Sequence, residues 1–177
     1  RQSGSLSFCD VPVFSGGVDM AYMRLGDLLV STGAISREQL EQALELQKAL
    51  SLEKRMYALL NEAFDISKQL AEAIERGDQV TIRILLSMRR EPLESLRRIR
   101  RALEEQRDAL APAQARQLAE LLNGAAAAGK EEERLAEQVA VNGRLLRQLV
   151  ELDRILNRKL GGKKSLYHKS LDTSPTG

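Results

Sequence analysis

Residues 52–76 read LEKRMYALLNEAFDISKQLAEAIER, and the spacing of their apolar positions decides the fold. Met56, Leu59, Ala63, Ile66, Leu70 and Ala73 recur three and four residues apart, the period that places side chains on one face of an α-helix. Charged and polar residues fill the remaining positions, so the stretch predicts a long amphipathic helix that must bury a single stripe. Gly77 stops it and Asp78 caps the next helix, where Ile82, Leu85, Arg89, Leu93, Leu96, Ile99 and Leu103 continue a similar stripe. Pro92 lies inside that second helix and removes a backbone donor, which predicts a kink near Met88 to Arg90.

Further along, Ala111-Pro112 ends the second helix and opens a short third one, about 113–122, closed by Asn123-Gly124. The AAAAG stretch at 125–129 reads as a helical turn or a link. A last long helix is expected over about 130–160, ended by Gly161-Gly162, with residues 163–177 as a disordered polar tail. Stripes of this near-heptad kind are buried only against one another or against a partner. The expected fold is all-α: an elongated antiparallel helical bundle over residues 51–162.

Before it, residues 20–50 form a smaller unit. Leu25, Leu28 and Leu29 make a short apolar helix that Gly33 ends by entering the left-handed region. Ser36 caps a second helix with Gln39 in the capping-box position, and Leu40, Ala43, Leu44 and the stem of Gln47 share one face. This is helix, tight turn, helix. Residues 1–19, rich in Ser and Gly, read as a flexible leader, with Met20 or Met23 a plausible native start.

Composition agrees with helices and excludes several functions. The 177 residues are 43% hydrophobic but only 3% aromatic, which leaves little for a β-sandwich core. The balance of 27 Lys+Arg against 25 Asp+Glu argues against a nucleic-acid coat. The most basic stretch, Arg89 to Arg107, holds seven arginines and four glutamates without interleaved aromatics, and reads as a solvated, charge-laced face. No window approaches the ~18 apolar residues of a membrane span, and no secretory signal opens the chain, so a cytoplasmic setting is expected.

Catalytic chemistry is sparse. The one histidine, His168, lies in the polar tail with no cluster of metal ligands around it, and the one cysteine, Cys9, sits in the leader with no activating neighbours. No phosphate-binding loop or nucleophile elbow occurs. A non-enzymatic protein with no metal and no obligate cofactor is expected.

The segment RLGDLLVSTGAISREQLEQALELQ, residues 24–47, resembles the half-motif of the MshEN domain found at the start of type II secretion and type IV pilus assembly ATPases. Arg24, Leu25, Gly26, Leu29, Gly33, Leu40, Leu44 and Gln47 match the positions of that pattern. The resemblance implies cyclic di-GMP as a ligand, with Arg24 on phosphate or guanine, the glycines admitting close backbone approach, and the leucines seating purines. The family's site uses two such units in tandem; no second one follows Gln47, and Lys159-Leu160-Gly161 lacks the downstream leucines and glutamine.

Residues 51–167 are similar in helix order to the FlgN-like flagellar export chaperones: a long helix, the turn Glu75-Arg76-Gly77-Asp78, a second helix, then a final helix containing Asn142-Gly-Arg-Leu-Leu146. That resemblance implies binding to the C-terminal segments of hook–filament junction proteins before export, contact with the export apparatus, and a final helix that carries the client. The residues themselves point the same way. The final helix is apolar on more than one side, and the stripe Leu135, Val139, Asn142, Leu145, Leu146, Leu149, Leu152 and Leu156 is the expected client-binding surface. Burial of the same surplus by self-association is the competing expectation.

Overall fold

The computed structural model describes residues 25–171, with side chains through residue 161. The leader, Met20, Met23, Cys9, Arg24 and the side chain of His168 therefore lie outside the described residues. Six α-helices occur among the described residues: α1 (Leu25–Ser31), α2 (Arg37–Arg76), α3 (Gln79–Met88), α4 (Arg90–Asp108), α5 (Pro112–Leu122) and α6 (Lys130–Leu171). Two compact units divide the chain after Leu40. The fold is all-α, as the periodicity predicts.

In the first unit, α1 ends in a Schellman turn: Gly33 N–H donates to the Val30 carbonyl and Ala34 N–H to that of Leu29, each at 3.0 Å. Gly33 takes φ +71°, a conformation that a side chain resists. The capping box then forms reciprocally. Gln39 N–H donates to Ser36 Oγ at 3.1 Å, and Ser36 N–H to Gln39 Oε1 at 2.8 Å. A Cβ at Gly26 would sit 2.8 Å from Leu40 Cδ1, so a side chain there requires the Leu40 side chain to shift.

The second unit is a bundle whose direction is read from its contacts. Ala49 and Leu50 of α2 pack with Ile99 and Leu103 of α4, with Leu118 and Leu121 of α5, and with Leu135 and Val139 of α6. At the other end Ile66, Leu70, Ala73 and Ile74 meet Ile82 and Leu85 of α3 and Leu156 of α6. Thus α3 and α4 run antiparallel to α2, and α6 returns parallel to α2, as an up-down-up order requires. The middle is thinner: Leu60, Ala63 and Leu149 are buried there, flanked by half-buried Met56, Leu93, Leu96 and Leu145.

Local signals account for the joints. Gly77 adopts φ +71° at the end of α2, and Asp78 caps α3 by accepting from Thr81 N–H at 3.0 Å. The Thr81 hydroxyl and N–H donors hold the Asp78 carboxyl below the usual range. The kink expected from Pro92 is a break at Arg89, between α3 and α4. Pro92 itself is fully buried in the first turn of α4, where a missing N–H leaves no intrahelical bond unmade. The Arg89 guanidinium pairs with Asp153 of α6 and so fixes the break against the bundle.

Two boundaries differ from expectation. No interruption separates the helix opened by Ser36 from the stretch beginning at residue 52; α2 is continuous. Likewise Gly161-Gly162 does not end α6, which continues to Leu171 and takes in the start of the expected tail. A glycine stops a helix when it takes a positive φ, as Gly77 does; Gly161 is not among the positive-φ glycines. Inside a helix it costs only about 1 kcal/mol relative to alanine.

Candidate functional site

The expected client stripe divides between two environments. Leu135, Val139, Asn142, Leu149 and Leu156 are buried in the bundle, so they form the seam of α6 rather than an open surface. Leu145 and Leu152 are half-buried. Only Leu146 among the named residues is exposed, at 49%, joined by Val150 at 42%. The correction has a simple cause: the positions at heptad spacing are those α6 turns toward α2, and the surplus apolar residues lie beside that seam.

Of that surplus, Leu146 lines a groove of about 390 Å³ at the thin middle of the bundle, beside Val139 and Asn142 of the seam. Met56 and Leu60 of α2 contribute to its floor, with Leu93 and Leu96 of α4 on one wall and Leu146 of α6 on the other. Leu122 of α5 also lines it. Gly143, in mid-α6, leaves the wall low: a Cβ there would meet only Arg147 Nη1, at 3.7 Å. Arg97 and Arg100 line the α4 side. Arg100 Nε donates to exposed Glu104 at 3.1 Å, whereas Arg97 and Arg147 pair with no carboxylate among the described residues.

Within the same groove lies a buried polar pair. Asn142 Nδ2 donates to the Glu53 backbone carbonyl at 2.8 Å and to Glu53 Oε2 at 2.6 Å, and Gln138 Nε2 donates to Asn142 Oδ1 at 3.2 Å. Glu53 and Asn142 are 5% and 4% exposed. Burial pushes the Glu53 carboxyl above the usual carboxylate range, and the Asn142 amide, which favours the ionised form, offsets only part of this. Asn142 thus belongs to the packing of α6 on α2, though one side of the pair reaches the groove.

A second concavity of about 290 Å³ adjoins along α4, lined by Leu86, Arg89, Arg90, Leu93, Glu94 and Arg97. It shares Leu93 and Arg97 with the groove. Sequence reasoning missed one further surface: Val80, Ile84 and Met88 of α3 are all more than 50% exposed. The signal was present in the spacing 80, 84, 88, one face of a helix whose opposite face, Ile82 and Leu85, is buried.

The positions of the half-motif divide between the two units. Within the first unit, Gly26 meets Leu40, Leu29 is half-buried and supplies the carbonyl that closes α1, and Leu25 is 72% exposed. Leu44 and Gln47 belong to the second unit, both exposed. Among the described residues no group of three or more His, Cys, Asp or Glu is placed to hold a metal ion, and no helix is long and apolar enough to cross a membrane. No protein-family model, no curated protein and no solved structure matches the chain.

Proposed function

We propose that this chain is a non-enzymatic, helix-binding chaperone or adaptor, and that the groove between α4 and α6 is where it holds its client. One observation carries the reading. The middle of the bundle leaves Leu146, Leu93, Leu96 and Met56 incompletely covered around an open apolar trough. Its walls repeat at helical spacing, 93, 96/97, 100 on α4 and 139, 142/143, 146 on α6, which suits a helix laid along them. The resemblance of residues 51–167 to FlgN-like chaperones supplies the setting: the client is a C-terminal helical segment of a flagellar hook–filament junction protein, kept soluble in the cytoplasm before export.

The test is capture of such segments by the wild type and by Leu146→Asp. Leu146 is half exposed, so the variant keeps its helical circular dichroism while losing the client. Leu149, 3% exposed, is unsuited to the same experiment because a carboxylate there would be buried in the core. Equal capture by wild type and Leu146→Asp rules the groove out as the docking surface.

A second reading concerns residues 24–47. Leu25 stands 72% exposed, so a leucine that would seat a purine in a MshEN-like site is not used up in packing. In this reading the unit is a cyclic di-GMP-responsive module of a secretion or pilus system. Calorimetry with cyclic di-GMP gives heat with the wild type and none with Arg24→Ala; absence of heat from the wild type at high micromolar ligand removes it.

A further inference from the structure

We propose that the occupant of the α4–α6 groove is an amphipathic helix whose apolar stripe is flanked by Asp and Glu, read by Arg97, Arg100 and Arg147 on the two rims. The inference rests on the helix-binding reading above and adds the chemistry of the partner.

Charge complementarity is the first argument. Arg97 and Arg100 stand on the α4 rim, and the Arg147 guanidinium lies over Gly143 on the α6 rim. Arg100 is engaged only in an exposed pair with Glu104 of its own helix, and Arg97 and Arg147 have no carboxylate partner among the described residues. The carboxylate lining the groove, Glu53, is already held by Asn142. Where the neighbouring concavity begins, Arg90 adds a cation without a carboxylate partner and Glu94 an anion, while Arg89 is neutralised by Asp153. The groove therefore meets its occupant with positive rims on both sides of an apolar floor. A helix with basic or neutral flanks would leave those guanidiniums opposed or unpaired.

Gly143 is the second argument. A glycine in the interior of a helix is costly, and this one has no neighbour from another helix within 4 Å of where a Cβ would be. The bundle's own packing thus gives no reason for it, whereas an occupant helix crossing α6 there gains close approach. From Leu93 to Arg100 the α4 wall spans about two helical turns, enough for two layers of leucine anchors.

The experiment uses the full chain and three labelled helical peptides with leucines at heptad a and d positions, differing only in Glu, Gln or Lys at e and g. Anisotropy is expected to rank them Glu, then Gln roughly tenfold weaker, then Lys with no measurable binding, the Glu affinity falling with added salt. The double variant Arg97→Glu/Arg147→Glu, altered only at exposed positions, is expected to reverse the ranking. Gly143→Leu, which fills the trough, is expected to stay helical and lose the Glu peptide. Equal binding of all three peptides, still blocked by Gly143→Leu, overturns the acidic partner and leaves the helix reading standing. No binding of any peptide, or binding indifferent to Gly143→Leu and Leu146→Asp, overturns both. Sedimentation showing a dimer of the wild type that Gly143→Leu dissociates assigns the groove to a second copy and overturns the acidic partner.

Discussion

At position 53 a carboxyl is held 5% exposed by an amide 89 residues away in the chain, with hydrogen bonds from Asn142 to both the backbone and the side chain of Glu53. Such a pair adds little net stability but makes other registers of α6 on α2 expensive, because sliding either helix strands a polar group in the core. Asn142→Leu removes the donor and leaves the Glu53 carboxyl without its partner; a loss of about 1–3 kcal/mol in urea unfolding is expected. The raised pKa of Glu53 has a definite sign. The folded chain holds this proton more tightly than the unfolded chain, so the stability linked to it is complete below the unfolded pKa of about 4.3. It is lost as pH rises through the folded value. Glu45, Glu75 and Asp78, all lowered by hydrogen-bonding donors, slope the other way. The expected observation is therefore a difference: relative to wild type, Glu53→Gln gains stability as pH increases across that window. Identical pH profiles for the two proteins count against a buried, proton-retaining Glu53.

Among the helices, Gly77, just past the end of α2, and Gly143, inside α6, should respond in opposite directions to the same substitution. Gly77→Ala forces a side chain into φ +71° at the end of α2 and is expected to cost about 1 kcal/mol. Gly143→Ala adds a methyl to the interior of α6 with no clash and is expected to gain up to about 1 kcal/mol. Calorimetric Tm values of the two variants, one below and one above wild type, check both. The break between α3 and α4 shows how a local signal and a tertiary one combine. A helix continued from α3 through Pro92 would lack the bond to the Met88 carbonyl, and starting α4 at Arg90 places the proline in a first turn where no such bond is required. That the interruption is held in one geometry is the work of Arg89 and Asp153, residues on different helices.

For the whole second unit, stability comes from the seam that runs through all three layers, with Leu70 at 1% exposure near one end. Leu70→Ala is expected to cost about 2–5 kcal/mol, whereas Leu146→Asp, on the groove wall, is expected to leave the urea midpoint nearly unchanged. The two variants separate the bundle's own cohesion from its capacity to hold a visitor. The thin middle layer reconciles those demands: Ala63 lets α2 pack on Leu149 of α6, while Gly143 leaves the trough open.

Much of this was legible residue by residue. The stripe from Met56 to Ala73, the capping pair Ser36 and Gln39, the Gly77-Asp78 joint, the disturbance before Pro92 and the start at Pro112 are short-range effects, set by periodicity, φ and missing donors within a few residues. The apolar face of α6 was legible as surplus but not as a direction. Leu145, Leu146, Leu149 and Val150 lie within two turns, and only the placement of α2 and α4 determines which are covered. The same holds for Asn142, which looks like a surface recognition residue in sequence and is a core partner in space. By itself, then, the sequence determined that the chain is helical and where most helices start and stop, because those depend on neighbours along the backbone. Which leucines are core, and where a groove remains, only the tertiary structure decided, because burial depends on side chains that the chain brings together from distant positions.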